Sequence, residues 1–119
     1  MEITLNGSTY ELGLTIDNLK DFGLLPGKME ANLDKLSDIL MGLKFGDPFI
    51  LVDVLTKLLK KDGQKRADIE KALNEDPAAA DLFDKLTDFF SEAPLTKKLA
   101  NLVLKTVDSK FKELEADPK

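Results

Sequence analysis

Cysteine, histidine and tryptophan are absent from the 119-residue chain. Without Cys there are no disulfides, no thiolate metal ligands and no thiol nucleophile, a composition that suits a reducing compartment. Without His the side chain best matched to proton transfer near neutral pH is missing. Together the two absences remove the common zinc constellations. No apolar run approaches the ~20 residues that span a bilayer. The start, Met1-Glu2-Ile3-Thr4-Leu5, lacks the basic and apolar regions of a secretory leader, so the expected location is the cytoplasm. No glycine-rich phosphate loop is present: Gly63-Gln64-Lys65 has neither the preceding glycine nor the following Ser or Thr of that motif. No segment carries the spaced carboxylates of a calcium loop. The expectation is a protein that is not an enzyme and takes no cofactor and no metal.

What the chain does contain is 43% hydrophobic and 33% charged residues, enough apolar material for one core and enough charge for a solvated surface. Its 17 basic and 22 acidic side chains leave a net charge of -5, which repels a phosphate backbone and argues against nucleic-acid binding. The one basic cluster, Lys57, Lys60, Lys61, Lys65 and Arg66, sits at a helix end, where cations complement the helix dipole, and no aromatic side chain is interleaved to stack a base. Asp81, Asp84 and Asp88 share one helical face. They read as a solvated face opposite Leu82, Leu86 and Phe90, because a catalytic carboxylate needs burial or a charged neighbour to move its pKa.

The expected fold is mainly α (small α+β), with an N-terminal β-hairpin over 1–13 and about six helices over 15–115 in one compact bundle. A single domain covers 1–119, and 116–119 form a frayed tail. Asn6-Gly7 supplies the two positive-φ positions of a tight hairpin turn. That register pairs Leu5 with Ser8, Ile3 with Tyr10 and Met1 with Leu12 on one face, leaving Thr4, Thr9, Glu2 and Glu11 on the other. A lone hairpin is marginal in water, so its apolar face must rest on the helices. Thr15 caps a short helix carrying Ile16, Leu19 and Phe22, stopped by Gly23. A second helix spans 28–44 with an apolar stripe from Met29 to Leu43.

Asp47-Pro48 opens a third helix whose first half, Phe49 to Leu55, is apolar nearly all round and therefore reads as central and buried. Its β-branched residues also fit a strand, but Leu58 and Leu59 continue at helical spacing. Gly63 is its expected end. A fourth helix spans 66–75. Asp76-Pro77 then starts a fifth with Leu82, Phe83, Leu86, Phe89 and Phe90, and Ala93-Pro94 breaks it. The sixth and longest runs over 94–115. Counting ~100° per residue from Leu95, Leu99 and Leu102 keep that direction, whereas Val103, Val107, Phe111 and Leu114 drift round the helix. Two arrangements fit this spiral. In one, the first half packs at home and the second meets another protein. In the other, the helix curves round its own core. A groove between helices five and six would suit an incoming amphipathic helix. The candidate partner-binding residues are therefore Phe89, Phe90, Leu95, Leu99, Leu102, Val103, Val107, Phe111 and Leu114.

The opening Met1 to Leu12 resembles that of the tail assembly chaperones of siphophages of Gram-positive bacteria and their prophages. Ile69-Glu70-Lys71-Ala72-Leu73 is similar to a middle helix of that family, and Phe83 to Phe90 with Ser91-Glu92-Ala93-Pro94-Leu95-Thr96-Lys97-Lys98 to its late helices. The loop Leu24-Leu25-Pro26-Gly27 and the leucine-rich Phe49 to Leu59 segment depart from the pattern. The resemblance implies a binding protein that keeps the tape measure protein soluble until tail subunits polymerise round it. It also implies a location in the host cytoplasm and not in the mature virion, with the major tail protein and self-association as further contacts. It carries no catalytic or ligand signature. Competing roles are a structural head–tail connector or minor virion subunit, and a small regulatory protein that binds a host protein.

Overall fold

The computed structural model describes residues 1–116, without the side chains of 110, 111 and 113–116. Among the described residues the chain forms a two-stranded antiparallel hairpin followed by six α-helices, so the expected class and element order hold.

The hairpin joins β1 (Glu2–Leu5) to β2 (Ser8–Glu11). Its register is the expected one, with Ile3 opposite Tyr10 and Leu5 opposite Ser8. Asn6 and Gly7 both adopt positive φ (46° and 87°), which a right-twisted two-residue turn requires. Ile3, Leu5 and Leu12 are buried in the common core, so the helices supply the apolar surface that two strands lack. Polar bonds seat the hairpin at both ends. The Asn6 amide donates to Asp76 Oδ2 at 2.9 Å, and Lys61 Nζ donates to the Glu11 carbonyl at 2.7 Å.

The bond to Asn6 is the chief reason the Asp76 carboxyl titrates below its ordinary value of 3.8, with a second bond from the Ala78 amide adding to it. A carboxylate with a depressed folded pKa stabilises above the unfolded value, and that contribution fades as pH falls through the folded value. We therefore expect Asp76→Ala to lower the urea midpoint at pH 7. The gap from the wild type should close as the pH is taken below 3.8. A gap independent of pH would exclude this origin.

Thr15 caps α1 (Ile16–Asp21) through a reciprocal pair of bonds with Asn18. α2 (Met29–Phe45) buries Leu36, Ile39, Leu40 and Leu43 and is the central element, touching α3, α5 and α6. Asp47 caps α3 (Pro48–Leu58) by accepting from the Phe49 amide at 2.9 Å. α3 ends earlier than expected, because residues 60–62 tighten into a 3-10 turn and Gly63 terminates that turn instead. α4 (Arg66–Glu75) has the expected bounds. α5 (Asp81–Glu92) begins later than Asp76-Pro77 suggests. Asp76 caps a turn through the Ala78 amide, and the helix follows that turn.

α6 (Lys97–Ala116) begins after Thr96, whose buried hydroxyl donates to the Phe90 carbonyl at 2.7 Å. α6 runs parallel to α2. Leu33 and Ser37 of α2 line one groove with Leu102 and Thr106, and Lys44 further along pairs with Asp108 at 3.4 Å.

Candidate interaction surface

Two adjacent stripes along the turn before α6 and α6 itself decide what this surface is. Thr96, Ala100, Val103 and Val107 are buried, at spacings of one helical face. One residue earlier at each of the first three positions, or ~100° round the axis, stand Leu95, Leu99 and Leu102. Leu95 is 47% and Leu102 56% exposed, and Leu99 is half-buried. Of the two arrangements that fit the sequence, the division into a home half and a partner half fails, and burial on the chain's own core continues to Val107. Leucines of the first half face outward, while Val103 and Val107, assigned to an outside partner, seat the helix on its own core at least as far as Val107. The physical reason lies at the α5–α6 corner. Thr96 and Ala100 are small enough for close approach, and the Thr96 hydroxyl finds a carbonyl there. Ranking positions by hydrophobicity favours the bulkier leucines and overlooks both.

Of the nine sequence candidates, Phe89, Phe90, Val103 and Val107 belong to the core, and we remove them from the surface. Phe90 makes edge-to-face contacts with Phe22 at 5.6 Å and with Phe89 at 5.7 Å. Leu95 and Leu102 are exposed, and Leu99 between them in sequence is half-buried. Phe111 and Leu114 lie outside the described side chains. The expected groove between α5 and α6 is filled by the core residues just named.

The outward leucines continue into apolar surface from elsewhere in the chain. Leu99 shares a cleft of about 220 Å³ with Ile16 and Leu19 of α1 and with Leu24, Leu25 and Pro26. Ile16 and Leu25 are exposed. Asn32 fixes this wall. Its side chain accepts from the Leu25 amide at 2.7 Å and donates to the Leu25 carbonyl at 2.8 Å, which clamps the loop on the first turns of α2 with the Leu25 side chain turned out. Leu102 extends the strip into a second groove of about 210 Å³ with Leu33. Sequence reasoning missed Ile16, Leu25 and Asn32. An Asn seven residues after the leucine of a Leu-Pro-Gly turn is the only signal that pointed to the clamp.

A second apolar cleft of about 520 Å³ opens between α3, α4 and α5. Phe49, 77% exposed, lines it with half-buried Val52, Leu73 and Phe83. This corrects the reading of α3 as buried all round. The helix buries Leu51, Val54, Leu55 and Leu58, one face only, and Phe49 stands off it.

Asp81, Asp84 and Asp88 are exposed along α5. Among the described residues no group of His, Cys, Asp and Glu is placed to hold a metal ion, and no helix is long and apolar enough to cross a membrane. Comparison of the chain with protein families, with curated proteins and with solved structures finds no match.

Proposed function

We propose that this protein is a tail assembly chaperone that holds an amphipathic helix of the tape measure protein against the α6 strip, and so keeps that long chain soluble in the host cytoplasm before the tail tube polymerises. The observation that carries the proposal is that Leu95, in the turn before α6, and Leu102 on α6 are exposed, with Leu99 half-buried, although a different stripe already seats the helix. Leu95 and Leu102 lie outside the core, while Leu99 is half-buried and packs against it on one side, and exposed apolar surface of this kind marks an interaction site. A helix laid in such a groove is recognised by side chains at three- and four-residue spacing. The acidic balance of the chain, -5 overall, adds solubility to whatever it coats. The strip is short, so affinity per copy is modest, which suits a partner that must later let go. The sequence resemblance supplies the identity of the partner.

Co-expression tests this directly. A tape measure fragment should stay soluble with the wild-type protein and precipitate with the double variant Leu95→Asp, Leu102→Asp. Both side chains are exposed, so the variant should keep the wild-type circular dichroism, and each substitution should change the unfolding free energy by no more than about 0.5 kcal/mol. An unchanged soluble yield with the wild-type protein overturns the function. Equal yields with both proteins overturn the surface.

A further inference from the structure

Around the Leu102 part of the α6 strip charge is divided by sign; Lys20, the basic residue that lines the Leu99 cleft, stands on α1 beyond that part. On α6, Lys98, Lys105 and Lys112 recur at seven-residue intervals and are exposed. Counted from Leu102, they lie roughly 40–80° round the axis on the side away from Leu99 and Thr106. Leu99 and Thr106 are the residues that face α1 and α2, so this lysine ridge borders the strip on its far side. On α2, Glu30, Asp34 and Asp38 recur at four-residue intervals and are also exposed. Asp34 itself lines the groove with Leu33 and Leu102. The acidic ridge therefore borders the near side. Because α2 and α6 run parallel, the two ridges lie side by side, with leucine between them. None of the six charges is in an ion pair with a described residue.

We infer that this bipolar groove selects the direction of the helix it binds, an inference that rests on the docking surface proposed above. Its partner is an amphipathic helix whose apolar stripe carries acidic side chains along one flank and basic side chains along the other. In one direction the partner's acidic flank lies over Lys98 and Lys105, and its basic flank lies over Asp34 and Asp38. Turning the helix end for end brings like charges together on both sides, which is repulsive and suppresses that mode. Leucine packing supplies most of the adhesion and has no preferred direction, so the flanking charges make the choice. The lysine ridge spans about 21 Å, or ~14 residues of partner helix. Successive copies on one long partner would all point the same way.

Direction is read with two synthetic helical peptides of identical composition, one with a Glu flank and a Lys flank and the other with the flanks exchanged. Each carries a nitroxide at its N-terminus. Because the protein has no Cys, the peptide thiol takes the label alone. Paramagnetic broadening of protein amides then reports which end of the strip, near Leu95 or near Thr106, the peptide N-terminus occupies. The expected result is opposite ends for the two peptides, with a preference of about tenfold at low ionic strength that falls toward unity at high salt. The charge-neutral exchange Asp34→Lys, Asp38→Lys, Lys98→Glu, Lys105→Glu should reverse both assignments. Labels found at the same end for both peptides, or at both ends equally, overturn directional selection and leave the docking surface standing. Failure of both peptides to bind the wild-type protein overturns directional selection and the docking surface together.

Discussion

Phe90→Ala is expected to cost about 3–5 kcal/mol of folding stability, a large share of the roughly 5–15 kcal/mol that a domain possesses. Phe90 has no exposed surface and sits where three parts of the fold meet. Its ring meets Phe22, from the segment after α1, edge-on at an interplanar angle of 70°, and Phe89 at 64°. Its carbonyl receives the Thr96 hydroxyl that starts α6. Truncation removes the ring's burial, leaves a cavity and deletes two aromatic contacts worth about 0.5–1.5 kcal/mol each. Urea unfolding with an unchanged slope is the measurement, since a changed slope would report an altered denatured state. Phe90→Leu keeps most of the volume and should lose far less. If Phe90→Ala and Phe90→Leu are equally stable, the ring is not the keystone described here. Phe22→Leu combined with Phe90→Leu should cost less than the sum of the two singles, because the pair shares one contact.

Gly42→Leu should be nearly as damaging, at about 3 kcal/mol, because α2 and α3 meet there with no room for a side chain. A Cβ placed on Gly42 comes within 2.5 Å of Ile50 Cγ1 and 2.9 Å of Ile50 Cβ. A new rotamer moves Cγ1 but not Cβ, so relief requires the two helices to separate. Gly42→Ala sets two terms against each other. Alanine gains roughly 0.5–1 kcal/mol in helix propensity, and crowding removes more. The net loss should be about 1 kcal/mol. Adding Ile50→Ala to Gly42→Leu should restore part of the stability, a coupling that double-mutant unfolding experiments read directly. A fully stable Gly42→Leu protein would show that the helices have slack at their crossing.

Elements whose signals are local could be read without the structure. Asn6-Gly7 specified the hairpin turn, and the alternation of Ile3 and Leu5 with Thr4 specified which face turns inward. Thr15, Asp47-Pro48 and Gly63 marked ends of helices or turns through bonds made within a few residues. Such devices act over one turn of chain, so their chemistry is written in adjacent letters. The misplaced start of α5 shows the limit of that rule. Asp76 caps the turn over Pro77 and Ala78 as its neighbours suggest, yet its other carboxylate oxygen binds Asn6, 70 residues away.

The candidate surface was legible only in part. Leu95, Leu99 and Leu102 were named among the partner-binding candidates, although one of the two arrangements weighed for the helix packed that half at home. Val103, Val107, Phe89 and Phe90 were named with them and proved to be core. An apolar stripe reports that a face is buried or sticky, and does not say which. That choice depends on where a small residue lets another backbone approach and where a buried hydroxyl finds an acceptor, as Thr96 does at Phe90.

By itself the sequence determined a hairpin and six helices in order, an acidic surface, and a chain without the side chains of common catalytic and metal sites. Tertiary structure decided which α6 stripe is core, that Phe49 faces out, that Asn32 clamps the Leu25 wall, and that lysines and carboxylates from two helices border one strip on opposite sides. The division has a single physical cause. Turns and caps are settled by bonds between near neighbours, whereas the exposure of a face is settled by whichever distant surface arrives to cover it.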